Sequence, residues 1–90
     1  MAATKEELIK AVDLAIAGEW EAAHKAAQQL DGDATADWLH AVLHKIEGDH
    51  DNARYWYRRV SHEFEEFDDP KAELTAIRTA LTQTTTLQRR

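Results

Sequence analysis

The sequence predicts an all-α protein, and three observations carry that prediction. Apolar residues recur three and four positions apart along successive segments, as in Leu8, Ala11, Val12, Ala15 and Ile16, which turns one face of a helix toward a core. No alternating run of apolar and polar residues is long enough to make a strand. The third observation is a repeat: Leu14-Ala15-Ile16-Ala17-Gly18-Glu19-Trp20-Glu21-Ala22-Ala23 is a fainter copy of the stretch around Gly48. Gly18 falls on Gly48, Glu19 on Asp49 and Ala23 on Ala53, thirty residues on. Self-similarity at a period of about 20–50 residues marks stacked helical units. The expectation is two helical hairpins and a closing helix in a single domain over 1–90.

The elements follow in order. Thr4 and Glu7 have capping-box spacing at the start of a first helix, about Lys5–Ala17, that buries the five apolar residues above. Gly18 ends it. The second, about Trp20–Leu30, carries an alanine-rich face of Trp20, Ala23, Ala26, Ala27 and Leu30, where small side chains let a neighbouring backbone come close. Asp31-Gly32-Asp33 breaks the chain, and Asp33 suits the N-cap of a third helix, about Ala34–Glu47, with Trp38, Leu39, Val42, Leu43 and Ile46 inward. Gly48 can adopt the left-handed conformation that closes this helix, leaving Asp49 to cap the next. The fourth helix, from His50, is expected to bury Ala53, Trp56, Tyr57, Val60, Phe64 and Phe67, with Trp56 bridging to the fifth. Asp69-Pro70 starts that last helix, since proline suits the first turn, where its missing N–H costs nothing. These signals give hairpins over about 4–31 and 33–67, a capping helix over about 69–82 and a fraying tail over 83–90.

Composition removes several classes of function. The chain of 90 residues contains no cysteine, which excludes disulfides, thiolate metal sites and cysteine nucleophiles. A net charge of −6 argues against general nucleic-acid binding, which needs a basic surface. The opening MAATKEELIK has no apolar segment of the kind that makes a signal peptide or membrane anchor, so a cytoplasmic protein without membrane association is expected. Ser61 is the sole serine, and three scattered glycines build no phosphate loop, so no enzyme is expected.

The stretch from Trp38 to Arg59 supports two resemblances. Gly48, Ala53 and Tyr57, and more faintly Gly18, Ala22 and Ala23, resemble the small and aromatic positions of tetratricopeptide and Sel-like repeats. More closely, Trp38, Leu39, His40, Ala41, Leu43, His44, Glu47, Gly48, Asp49, Asn52, Ala53, Tyr55, Trp56, Tyr57, Arg58 and Arg59 resemble a block shared by a group of short bacterial helical proteins of uncharacterised function. Their upstream Ala-His element is similar to Ala23-His24. The resemblance implies a fold and a shared surface, but no activity. It departs at Val60-Ser61, where Ala-Gly is expected, and that departure implies a longer fourth helix.

Two sets of side chains are candidates for function. At about 100° per residue, Asp37, His40, His44 and Glu47 share one stripe of the third helix, opposite Leu39, Val42 and Ile46. Histidines four apart suit a zinc pair, with Glu47 or Asp37 as an oxygen ligand and His24 pointing into the same groove from the second helix. The simpler alternative is a hydrogen-bonded histidine network on a polar face, and without a glutamate at the zincin position the residues favour it. His50-Asp51 resembles the His-Asp pair of metal-dependent phosphohydrolases, but in the first turn of a helix an aspartate simply favours the dipole. The second set is Arg54, Tyr55, Arg58, Arg59 and His62 on the outer face of the fourth helix, an aromatic and guanidinium patch suited to a carboxylate, phosphate or acidic peptide. Pairing of the arginines with nearby acids, Arg59 with Glu63 for one, is the simpler reading there.

The functional expectation is a non-enzymatic interaction module for a protein or acidic peptide, with a homodimer as one form of partnership. The alternative is a small metal- or ligand-binding protein centred on His24, His40 and His44. No cofactor is expected apart from zinc under that alternative.

Overall fold

The computed structural model describes residues 4–87 and is all-helical over them. Five α-helices follow one another: α1 (Lys5–Ile16), α2 (Trp20–Gln29), α3 (Ala34–Glu47), α4 (His50–Tyr57) and α5 (Pro70–Leu87), with a single 3-10 turn at Phe64–Glu66. None of the described helices is long and apolar enough to cross a membrane.

Helix ends fall where the sequence puts its stop and start signals. Thr4 and Glu7 close a reciprocal capping box on α1. Asp33 accepts hydrogen bonds from the backbone N–H groups of Thr35 and Ala36, satisfying two donors that the first turn of α3 would otherwise leave open. Gly48 has φ +83°, the left-handed conformation that glycine adopts without a Cβ penalty, and its N–H closes onto the last turn of α3. Asp49 then caps α4 immediately, and Asp69 accepts from the Lys71 N–H at the head of α5.

The centre of the fold is α3, which packs against α1, α2, α4 and α5. A helix with neighbours on every side has no solvated face. Hence Asp37, His40 and Lys45 are buried along with Trp38, Leu39, Ala41, Val42 and Leu43. This corrects the expectation of a polar stripe on α3: α2 and α4 cover it. Ala23 and Ala27 of α2 are completely buried, as the small-residue face requires for close approach. α5 lies against both α1 and α3 and contributes Leu74 and Ile77 to the core.

Four further expectations are corrected. Ile16, placed on the buried face of α1, is 45% exposed: it is the last residue of the helix, and Ala15 beside it takes the buried position. The fourth helix is shorter than expected. It stops at Tyr57, and Val60, Phe64 and Phe67 reach the core from irregular chain and the 3-10 turn. Lys45, whose ammonium is buried, takes the backbone carbonyls of Phe64 (2.7 Å) and Phe67 (2.8 Å) and so ties that segment to α3. Third, Tyr57 and not Trp56 joins the second hairpin to α5, through a 2.7 Å hydrogen bond from its hydroxyl to Glu73. Finally, α5 continues beyond Leu81 to Leu87, since neither glycine nor proline interrupts the intervening residues. Residues 88–90 of the expected frayed tail lie outside the described residues.

Candidate metal centre

His40 and His44 stand one turn apart on α3, so both rings leave the same side of the helix. α2 crosses that side with its alanine face inward, which brings His24 over the pair. One nitrogen from each of the three imidazoles lies within 4.8 Å of the other two. The ring centroids are 4.6 Å apart for His24 and His40, 4.8 Å for His24 and His44, and 4.9 Å for His40 and His44.

The closest approach is between the Nε2 atoms of His24 and His40, at 2.8 Å. Such a contact holds when one ring donates and the other accepts, so the two rings share a single proton between them. Glu47 lies on the outer side, with Oε2 3.4 Å from His24 Nδ1 and Oε1 3.5 Å from His44 Nδ1, both longer than an ordinary N–H···O hydrogen bond. Nδ1 of His40 and Nδ1 of His44 are buried without a hydrogen-bond partner, an arrangement that normally costs stability.

His40 has its pKa pushed down to about 4. Burial is the main cause, with the like charges of His24 and His44 adding to it. At neutral pH this ring is therefore uncharged and offers a lone pair, the form that ligates metal. The Trp56 indole stacks on His40 at 4.0 Å and walls off one side of the cluster. The side chains of His24 and Glu47 remain 21% and 39% exposed, so the cluster opens to solvent on the α2 side.

Of the residues expected here, His24, His40 and His44 converge, and Glu47 borders them. Asp37 does not join. Its carboxylate is turned to the backbone N–H of Gly32 at 3.3 Å, and burial raises its pKa. His50 packs edge-on against Phe64 instead.

Of the expected arginine patch, Arg54, Arg58 and His62 line one open cavity with Ser61 and Phe64. Arg54 pairs with Glu65 at 2.7 Å, and Arg59 donates to the Tyr55 hydroxyl at 3.2 Å and lies over Trp56 at 4.8 Å. Because α4 ends early, His62 is not on its outer face: it stacks on Trp38 at 3.6 Å and pairs with Glu66 at 3.1 Å. Arg58 is exposed and makes no ion pair among the described residues.

A polar cluster that the sequence did not lead us to expect lies on the far side of α3. Glu73 is fully buried and accepts from Trp38 Nε1 (2.8 Å), the Tyr57 hydroxyl (2.7 Å) and Lys45 Nζ (3.0 Å). The Tyr57 hydroxyl is held protonated, first by burial and then by that hydrogen bond. A signal was present: Lys45 falls seven residues after Trp38, and Glu73 four before Ile77, which puts each charge on an apolar stripe.

Comparison with protein-family models, with curated proteins and with solved structures gives no match for this chain. Function has to be read from the site itself.

Proposed function

We propose that the protein binds a single divalent transition-metal ion, zinc, through His24, His40 and His44. The observation that carries this reading is the convergence of three imidazole nitrogens, from two helices, within 4.8 Å of one another. Zinc bonds of about 2.0–2.1 Å at tetrahedral angles put ligand nitrogens about 3.3–3.4 Å apart. The separations in the cluster, from 2.8 Å to at most 4.8 Å, bracket that value. Binding an ion would also replace the shared proton between His24 and His40. A ligand set of nitrogen donors without sulfur suits zinc among borderline ions.

Support for a tetratricopeptide-like arrangement comes from the pairing of α1 with α2 and of α3 with α4, with α5 as the cap. A second reading, an interaction module for a protein or acidic peptide, is favoured by the exposed Tyr55 (47%) and by Arg58 one turn further along, which has no ion pair among the described residues.

Calorimetric titration with zinc chloride tests the metal reading. Wild-type protein is expected to bind one equivalent with a saturable isotherm, and His40→Ala/His44→Ala is expected to show none while keeping its helical circular dichroism. Equal heats from both proteins, or no binding by either, would refute it.

A further inference from the structure

Three nitrogens do not complete the coordination of a zinc-like ion, and what fills the remainder can be argued from the surroundings. Among the described residues the converging group ends with the three histidines. Glu47, the nearest carboxylate, faces His24 Nδ1, on the back of that ring relative to the Nε2 atom turned toward His40, and also lies 3.5 Å from His44 Nδ1. A carboxylate behind a ligating imidazole orients the ring and fixes its tautomer, which is a positioning role and not that of a ligand.

Access and charge are both one-sided. His40 is 4% exposed and sealed from below by the core, while His24 and Glu47 border solvent. A divalent ion held by three neutral imidazoles keeps its full charge. The guanidinium of Arg59 adds a further positive charge on the Trp56 indole, the same ring that stacks on His40. Tyr55 takes one Arg59 donor, and the side chain is otherwise exposed. Asp31 and Asp37 lie within electrostatic reach of this region and temper its charge, although Asp37 is already turned to the Gly32 backbone.

We infer that the ion bound by His24, His40 and His44 keeps an open coordination position facing solvent, and that this position takes a small anion. The inference rests on the metal reading above. It distinguishes a site with exchangeable ligands from a closed structural one, which takes four protein ligands.

Cobalt(II) is the probe, because its visible absorption reports coordination number and ligand exchange. The cobalt-loaded full chain is titrated with sodium azide, for wild type and Glu47→Gln. In wild type the cobalt bands are expected to shift with saturation at one azide per cobalt. Glu47→Gln should still bind azide. A cobalt spectrum in wild type that does not respond to azide would overturn the inference and leave the metal reading standing. Azide binding that appears only once Glu47 is replaced would overturn it in the same way, since Glu47 would then be the fourth ligand. Failure of cobalt to bind at all would overturn both.

Discussion

Glu73→Ala is expected to destabilise the protein by about 3–5 kcal/mol. Alanine removes the one acceptor shared by Trp38 Nε1, the Tyr57 hydroxyl and Lys45 Nζ, and the Lys45 side chain is only 7% exposed. Breaking a buried ion pair from one side costs about 3–5 kcal/mol, because the remaining charge keeps its desolvation penalty without its partner. A chain of this size has a total stability of about 5–13 kcal/mol, so the loss is a large share of it. The damage should also spread, since Lys45 anchors the segment after α4 through the Phe64 and Phe67 carbonyls. Glu73→Gln should cost less than Glu73→Ala, because the amide oxygen can still accept from Trp38 and Tyr57. Urea unfolding of the three proteins measures this. A loss below about 1 kcal/mol for Glu73→Ala would mean that the pair is not buried.

The second large effect is a loss of stability on acidification that can be traced to His40. Its folded pKa of about 4 lies below the 6.5 of an unperturbed histidine. Between those values the unfolded chain binds a proton that the folded chain does not, so stability falls as pH drops from 6.5 to 4 and levels off below. At about 1.4 kcal/mol per unit, the full contribution is on the order of 3 kcal/mol. His24, His44 and Arg59 oppose protonation of His40, and Asp31 favours it. Carboxylates also titrate in this range, so the measurement is a difference. The pH dependence of the urea midpoint is compared between wild type and His40→Gln, and the variant should show the shallower slope across the window. Identical slopes would show that His40 is not buried in its neutral form.

The two predictions come from clusters that were unequally legible in the sequence. Helix boundaries at Gly18, Asp33, Gly48 and Asp69-Pro70 could be read directly, because capping and left-handed glycine are local chemistry. The bounds of α3 were predicted as observed. The histidine trio was partly legible. The spacing of His40 and His44 is a property of one helix, and His24 sat at the edge of an alanine face that had to meet something.

What a single helix does not reveal is how many neighbours it will have. The stripe holding Asp37, His40 and His44 reads as solvated when α3 is considered alone, and becomes interior only because α2 and α4 both cover it. The path of the chain after α4 was hidden in a similar way: Val60 to Phe67 contains no glycine or proline, and two carbonyls there are taken by Lys45, a residue on another element. Charges on apolar stripes, Lys45 and Glu73, were the available warning of such long-range demands.

X-ray absorption at the zinc edge of protein loaded with one equivalent of zinc is the most direct test of the metal centre. The expected spectrum has a first shell of nitrogen and oxygen donors at about 2.0–2.1 Å, with the outer-shell scattering of three imidazole rings and no sulfur. His24→Ala should reduce the imidazole count by one. A first shell of oxygen donors without imidazole scattering, unchanged by that substitution, would place the ion elsewhere on the acidic surface and contradict the assignment of the site.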